Sequence, residues 1–451
     1  MSTASADTIA ALATPLGTAA IALLRVSGPQ AAAVTQAVFG AVPPARVAQH
    51  ADYRDRAGVL VDDVLFTFFA GPNSYTGEDT VEISSHGNPF IAQRILEDLI
   101  ARGCRAAEAG EFTKRAFLHG RLDLSQAEAV MDLIHARSER ALAAANQQLR
   151  GALGARMGEL IHQTVNCLAQ VEAYIDFPDE DLPPQNRARL VGQVEEVERG
   201  AARLLATSHY GELLRSGIKT VILGEPNAGK SSLLNRLVGR DRALVSPEPG
   251  TTRDYLEETM TVGPHLLRLI DTAGLNPTPG ALERRGIEKT LEQAAAADLY
   301  LWVVDGTRPL PSLAPALLAR MSPANTIAVV NKLDLPPVAE RLWPKAFPVV
   351  HVSALLGAGF EALEAAVVRA ADSFRTEVGD EVVAINARHA SALGAARTCL
   401  AEARTKLAAG DSPELTASDL RGALAAFGEI AGKVDNERML DQLFSTFCIG
   451  K

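Results

Sequence analysis

The sequence predicts a multidomain protein of α/β and all-α parts. An α/β unit stands at the front, and a doubly wound α/β block is inserted between two halves of a helical domain. Three observations predict this. From residue 218 to about 375, short apolar strands alternate with helical stretches, the texture of a parallel sheet with crossover helices. Residues 124–177 are rich in alanine and long side chains and contain no proline, and the same texture returns from Val382 onward. Between about residues 7 and 118, strand-like runs end in glycine. The expected divisions are 1–119, 120–214, 215–377 and 378–451.

In the first unit, "GTAAIALLRVSG", "VLVDDVLFTFFAGP" and "VEISSHG" are strand-like. "NPFIAQRILEDLIARG" spaces its apolar residues as a helix does, with proline near its start and glycine after its end. Further on, "PDEDLPP" interrupts the helical run, and "NRARLVGQVEEVERGAARLLATSHYGELLRSG" resumes it. The strands of the inserted block are "IKTVILG", "LLRLIDTAG", "LYLWVVD", "TIAVVNKLD" and "FPVVHVSA".

Composition narrows the function classes. The 451 residues allow two or three cores, and 47% apolar with 22% charged residues is an ordinary globular balance. A net charge of −10 argues against a broad basic face for nucleic acid, so any such contact is local or shared with a partner. No apolar run is long enough to cross a bilayer, and no membrane association is expected. The N-terminus lacks the basic start and apolar core of a signal peptide and the arginines of a transit peptide. Cys104, Cys167, Cys399 and Cys448 lie far apart and form no CxxC pair, which suits a reducing cytoplasm.

"GEPNAGKS" at residues 224–231 follows a strand and precedes a helix, the context a phosphate-binding loop requires. Its backbone N–H groups would wrap phosphate oxygens, Lys230 would reach the outer phosphates, and Ser231 would ligate Mg²⁺. "DTAG" at 271–274 puts Asp271 near the metal and the Gly274 N–H near the terminal phosphate. In "NKLD" at 331–334, the Asp334 carboxylate can accept both N–H groups of a guanine edge, which adenine does not offer. "SAL" at 353–355 can offer a backbone N–H to the guanine oxygen. Four such motifs in order, spaced by strands and helices, resemble the Ras-like GTPase superfamily.

"GTTRD" at 250–254 sits where a switch loop belongs, and Thr252 can supply a second hydroxyl to Mg²⁺. Leu275 stands where a water-positioning glutamine is usual, so another group must orient the water. Glu283 is one candidate; the plain alternative is a helix-start carboxylate that favours the helix dipole. Arg253, Arg284 and Arg285 are either arginine fingers or surface ion-pair residues.

Together, "NAGKSSLLN", "PGTTRD", "GEFTKRAFLHGRLDLSQAEAV", "SYTGEDTVEISSHGNP" and the terminal "FCIGK" resemble the MnmE (TrmE) family of tRNA-modification GTPases, over essentially the whole chain. The resemblance implies an N-terminal folate-binding domain that dimerises, a discontinuous helical domain and an inserted G domain. It implies a homodimer, and a heterotetramer with an MnmG-type FAD protein. Together these would add a carboxymethylaminomethyl or aminomethyl group to C5 of the wobble uridine of certain tRNAs. The one-carbon unit would come from a methylene- or formyl-tetrahydrofolate. G domains would associate face to face on GTP, with K⁺ in place of an arginine finger.

Residue by residue, the resemblance implies GTP contacts at Asn227, Ala228, Gly229, Lys230, Ser231 and Ser232, and at Ser246, Thr251 and Thr252. The set continues with Asp271, Thr272, Ala273 and Gly274, then Asn331, Lys332, Asp334, Ser353, Ala354 and Leu355. Ser231 and Thr252 match the Mg²⁺ ligands, and Asn227, Ser246, Glu248 and Thr251 the K⁺ site. Glu283 matches the glutamate that orients the attacking water. Arg25, Glu82, Arg121 and Lys451 match folate-contacting positions. Taken without the resemblance, Arg25 reads as a strand-end salt bridge and Glu82 as a strand-face surface charge. Two departures stand out: Arg121 replaces a common lysine, and His86-Gly87-Asn88 replaces a common His-Gly-Gly.

Two other classes compete. Era-like and EngA-like ribosome-assembly GTPases share the "GTTRD" style of loop, but they call for an appended basic RNA-binding domain. A lipid-anchored GTPase would use Cys448, but Gly450 and Lys451 do not suit prenylation and no polybasic stretch precedes them. The tail is instead expected to return to the folate unit on the amphipathic pattern "NERMLDQLFSTF", with Cys448 either a reactive thiol or a small buried residue.

Overall fold

The computed structural model describes residues 7–176, 184–241, 257–271, 296–337, 342–374, 383–432 and 437–450. The chain divides into two units, Met1–Met131 with Gly428–Lys451, and Asp132–Phe427.

The first unit is built on a six-stranded sheet. Its strands are β1 (Ile9–Leu12), β2 (Ile21–Ser27), β3 (Ala48–Arg54), β4 (Leu60–Phe69), β5 (Thr80–His86) and β6 (Arg105–Ala106). Their order is β3-β4-β5-β2-β1-β6, antiparallel except where β1 meets β6. Period-2 alternation explains β4: Val64, Phe66 and Phe68 are buried, whereas Leu65 between them is exposed. Two helices, α1 (Ala31–Phe39) and α2 (Pro89–Ala101), cover that face with Val34, Ile95 and Leu99. Phe39 stacks on Phe66 at 3.7 Å between ring centroids. Asn88 caps α2 by accepting the Phe90 N–H at 2.9 Å, which gives asparagine in His86-Gly87-Asn88 a local reason.

The third helix, α3 (Glu111–Leu118), carries Arg115, which is 3% exposed. Its guanidinium pairs with Asp7 at 2.8 Å, Glu78 at 3.1 Å and Glu111 at 2.9 Å. A buried cation is tolerated only with such partners, and these fasten the start of the chain to α3.

In the second unit, the C-terminal turn of α4 (Leu124–Ile134) leads to α5 (Glu139–Leu149), α6 (Ala152–Asp176), α7 (Pro184–Ala206) and α8 (Ser208–Ser216). Buried positions on α6 recur as Leu153, Met157, Leu160, Thr164, Cys167 and Val171, one face of a helix.

A second sheet then intervenes. It holds β7 (Ile218–Leu223), β8 (Glu257–Val262), β9 (His265–Asp271), β10 (Leu299–Asp305), β11 (Thr326–Asn331) and β12 (Val349–His351). With it come α9 (Lys230–Asp241), α10 (Pro315–Arg320) and α11 (Phe360–Ser373). The order is β12-β11-β10-β7-β9-β8, parallel except for β8. β10 is buried along its whole length, as a central parallel strand with both faces covered must be. Leu299, Leu301 and Val303 pack on one face; Tyr300, Trp302 and Val304 pack on the other. Trp302 meets Trp343 edge-on, with centroids 5.2 Å apart.

Helices resume with α12 (Ala387–Ala409), α13 (Pro413–Ala431) and α14 (Glu437–Phe444). α12 packs along α7, and Arg404 meets Glu198 at 2.9 Å, so helices from before and after the sheet form one layer. The α/β block is therefore an insertion between packed helical halves. Residues 428–451, expected within the second helical half, group with the first unit. Among the described residues, no helix is long and apolar enough to cross a membrane.

One carboxylate ties the helical layer to the sheet. Asp372, on α11, accepts from His265 Nε2 at 3.0 Å and from Arg140 Nη2, on α5, at 3.2 Å. His265 is 3% exposed and Asp372 is 43% exposed at its side chain. Burial therefore outweighs the half-solvated carboxylate and holds the imidazole pKa below its usual 6.5. The folded state then binds fewer protons than the unfolded chain, and stability falls as pH drops through the unfolded value. Calorimetry between about pH 7.5 and pH 5.5 is expected to give a larger stability loss for the wild type than for His265→Gln, which keeps a donor toward Asp372.

Candidate nucleotide site

Open α/β sheets bind ligands beyond the carboxyl ends of their strands, and the phosphate-loop and 331–334 and 353–355 motifs gather at that edge. The loop after β7 turns through Asn227, which holds a left-handed φ of 64°, into the first turn of α9. Lys230 Nζ donates to Gly224 O at 2.8 Å and Glu225 O at 2.9 Å, curling the ammonium over its own loop. The helix dipole of α9 gives this N-terminal end positive character.

Asn331, the last residue of β11, links two loops. Its Nδ2 donates to Ala228 O at 2.9 Å, and its Oδ1 accepts the Ala354 N–H at 3.0 Å. Gly229 makes this possible, because a Cβ there would lie 2.1 Å from Asn331 Nδ2. The Ser353 hydroxyl donates to Asp334 and in turn accepts the Leu356 N–H at 3.1 Å. Gly229, Asn331, Asp334 and Ala354 line a groove of about 1020 Å³ that also takes in Asn227, Ser231, Ser232, Lys332 and Leu355. Its length and mixed lining suit a nucleotide, with N–H donors at the β7 end and a carboxylate at the β11 end.

Sequence reasoning missed two residues here. Asp305 ends β10 and accepts from Lys332 Nζ at 2.6 Å and from the Thr307 N–H at 2.8 Å and hydroxyl at 2.7 Å. Burial pushes its pKa up, but the bonds from Lys332 and Thr307 prevail and bring it down to about 2. A carboxylate ending an apolar strand, as in "LYLWVVD", was the available signal. The other is Arg236 on α9, which donates to Leu355 O at 3.0 Å and Leu356 O at 3.2 Å. Nothing in its sequence position marks that role.

Asp271 ends β9 opposite Ile222 of β7, at the same edge. Ser246, Glu248, Thr251, Thr252, Thr272, Ala273, Gly274 and Glu283 lie outside the described residues, as do Arg253, Arg284 and Arg285. Of the Mg²⁺ and K⁺ sets, only Ser231 and Asn227 can thus be located, at the head of α9 and the turn before it.

The first unit carries a second cluster. Arg25 and Glu82 are paired residues of β2 and β5, and the guanidinium donates to Glu82 Oε1 through Nε at 3.0 Å and Nη2 at 2.7 Å. The salt-bridge alternative for Arg25 and the charged partner for Glu82 are thus one interaction. Arg25 also lies over the rings of Tyr75 and Phe112, 5.4 and 5.6 Å from their centroids. Its Nη1 donates to Gly450 O at 3.3 Å. The tail reaches this point because α14 packs on α3, the Gly110 N–H donates to Cys448 O at 3.3 Å, and Ile449 forms a bridge with Ala109. Gly450, at φ 92°, has no room for a side chain: a Cβ would lie 2.4 Å from Leu12 O. Cys448 is exposed, which removes the buried-residue alternative. His86 pairs with Asp62 at 2.9 Å, and Arg121 is exposed, its N–H donating to Ala116 O at 2.8 Å. Lys451 lies outside the described residues.

Comparison with known proteins gives these features a family. A family model described as the MnmE helical domain matches residues 124–448, and one described as the GTP-binding protein TrmE N-terminus matches residues 8–121. A tRNA modification GTPase MnmE from Opitutus terrae is 59% identical over 450 residues, covering 99% of each chain. Its counterpart from Akkermansia muciniphila is 45% identical, covering 98% of this chain and 99% of its own. Among solved structures, the G domain of the T. maritima FeoB iron transporter covers 34% of this chain at 26% identity, with a TM-score of 0.24. Two family models that between them span nearly the whole sequence, and full-length relatives at this identity, lead to one conclusion: the chain belongs to the MnmE (TrmE) family of tRNA-modification GTPases.

Proposed function

We propose that this protein is a GTP hydrolase that works with an MnmG-type FAD protein to modify C5 of the wobble uridine in certain tRNAs. The observation that carries the reading is the Asn331 bridge, which ties a phosphate loop and a base-reading loop into one groove. Lys230 and the N–H groups of residues 227–232 hold the phosphates. Asp334, oriented by the Ser353 hydroxyl, accepts the two N–H groups of guanine, and a backbone N–H of the 353–355 loop meets the guanine oxygen. Asp305 keeps Lys332 beside the base-reading residues.

The chain's remaining residues divide the hydrolytic work. Ser231 and Thr252 hold Mg²⁺; Asn227, Ser246, Glu248 and Thr251 hold K⁺; Glu283 orients the attacking water. The cations supply positive charge beside the β- and γ-phosphates. Asp271 through Gly274 sense the terminal phosphate, with Thr272 and Ala273 in contact with it. The head of α9 and the left-handed turn at Asn227 fit this arrangement.

The front unit binds a methylene- or formyl-tetrahydrofolate as one-carbon donor. Arg25 is committed to Glu82 and Gly450 O, so it acts by orienting Glu82 toward the amino-pterin edge while securing the tail. Arg121 and Lys451 contact the rest of the folate, and the exposed Cys448 is a thiol candidate beside it. In domain terms, residues 1–119 bind folate and dimerise, 120–214 and 378–451 form the helical domain, and 215–377 hydrolyse GTP. The working assembly is a cytoplasmic homodimer that joins its flavoprotein partner as a heterotetramer and takes tRNA as substrate.

Calorimetric titration with nucleoside diphosphates tests the base reading. Asp334→Asn exchanges a carboxylate for an amide, so its GDP affinity is expected to fall by about 100-fold or more while xanthosine diphosphate binding rises. Unchanged preference for GDP would refute the assignment. GTP turnover is expected to be faster in K⁺ than in Na⁺, and Glu283→Ala to lose about 100-fold in turnover while still binding GDP. For the front unit, Glu82→Gln is expected to weaken 5-formyl-tetrahydrofolate about tenfold, with GDP binding as the folding control. Folate affinity equal to that of the wild type would remove Glu82 from the site.

A further inference from the structure

Five successive backbone N–H groups run through residues 353–357. Ser353 N donates to Ala358 O at 2.9 Å, Ala354 N to Asn331 Oδ1 at 3.0 Å, Leu356 N to Ser353 Oγ at 3.1 Å and Gly357 N to Ser353 O at 2.7 Å. Of these five, the Leu355 N–H alone has no acceptor among the described residues, and Leu355 lines the nucleotide groove. A donor in that position is what a purine C6 oxygen requires. Its direction depends on the two peptide groups that flank it. The one before is fixed by the Asn331 side chain. The one after carries Leu355 O, which is fixed by Arg236.

The guanidinium is seated for this task. Nη1 takes Leu355 O at 3.0 Å and Nη2 takes Leu356 O at 3.2 Å, a two-pronged hold on consecutive carbonyls. The plane lies against Gly357, whose φ is 81° and where an added Cβ would meet Nη2 at 2.1 Å. Arg236 lies on α9, the helix headed by the phosphate loop, so the hold connects the phosphate end of the groove directly to the base end. Among the described residues, no other donor reaches either carbonyl.

We propose that Arg236 is a specificity-determining positioning residue: by clamping Leu355 O and Leu356 O it aims the Leu355 N–H at the guanine O6. The proposal rests on the reading that the 353–355 loop meets the guanine oxygen. Arg236 also borders the groove, and both of these guanidinium bonds go to main-chain carbonyls. It acts through the backbone of Leu355, and its loss lowers affinity for nucleotides that carry a strong acceptor at C6.

The test is a cycle of two nucleotides and two proteins, using the full chain. 6-Thio-GDP keeps both N–H groups that Asp334 accepts and changes only the C6 acceptor, from oxygen to weakly accepting sulfur. The wild type is expected to bind GDP about tenfold more tightly than 6-thio-GDP. Arg236→Ala is expected to lower GDP affinity by a similar factor and 6-thio-GDP affinity by less than about twofold, so that the preference collapses. Arg236→Lys, with one donor group on a flexible stem, should restore part of the preference. In GTP hydrolysis the change should fall on KM, with kcat retained. Equal losses for both nucleotides in Arg236→Ala would make the residue a general structural support and overturn the proposal. An intact GDP preference in that variant would overturn it as well. A wild type that does not discriminate the two nucleotides would refute the underlying reading of the loop, and the role of Arg236 with it.

Discussion

The nucleotide groove depends on one buried amide. Asn331 is 3% exposed, and its side chain uses one end for Ala228 O and the other for the Ala354 N–H. A carboxylate in its place would lose the donor, and an aliphatic residue would lose both and leave two buried backbone groups unsatisfied. The bridge sets the distance between the phosphate end and the base end. It also explains the glycine before Lys230: Gly229 is needed as much for the approach of Asn331 as for the approach of a phosphate. Asp305 and Arg236 then fix the neighbouring pieces, Lys332 from the side of β10 and residues 355–356 from the side of α9.

Much of this arrangement was legible because the motifs mark strand ends. A loop pattern after "IKTVILG" and a short polar motif after "TIAVV" can only meet at one edge of a parallel sheet. The inserted character of the block was legible from texture, and α7 against α12 is its physical expression. The front sheet was read less completely. β2, β4, β5 and α2 follow apolar patterns, but β3, "AQHADYR", buries only Tyr53 and half-buries Ala51, so no alternation announces it. β6 is two exposed residues, formed only because β1 lies beside it.

The sequence marks Arg25 but not its partner, since neither strand reveals its register across the 57 residues that separate it from Glu82. The observed pairing changes what the arginine can do. With Nε and Nη2 given to Glu82 and Nη1 to Gly450 O, the guanidinium joins β2, β5 and the C-terminal tail. The rings of Tyr75 and Phe112 beneath it add cation–π attraction in a setting that water barely reaches.

The interactions that escaped sequence reading share a property. Asn331 donates to Ala228 O, Arg236 to Leu355 O and Leu356 O, and Arg25 to Gly450 O. In each case the acceptor is a main-chain carbonyl of a segment far away in the chain. Such an acceptor is present whatever side chain the residue bears, so composition and spacing carry no trace of the partnership. What the sequence does carry is the space for it, as glycine at 229, 357 and 450, where a Cβ would collide with the donor or with the strand alongside. A glycine can thus mark, beyond any turn it allows, a place where a distant polar side chain or backbone comes close.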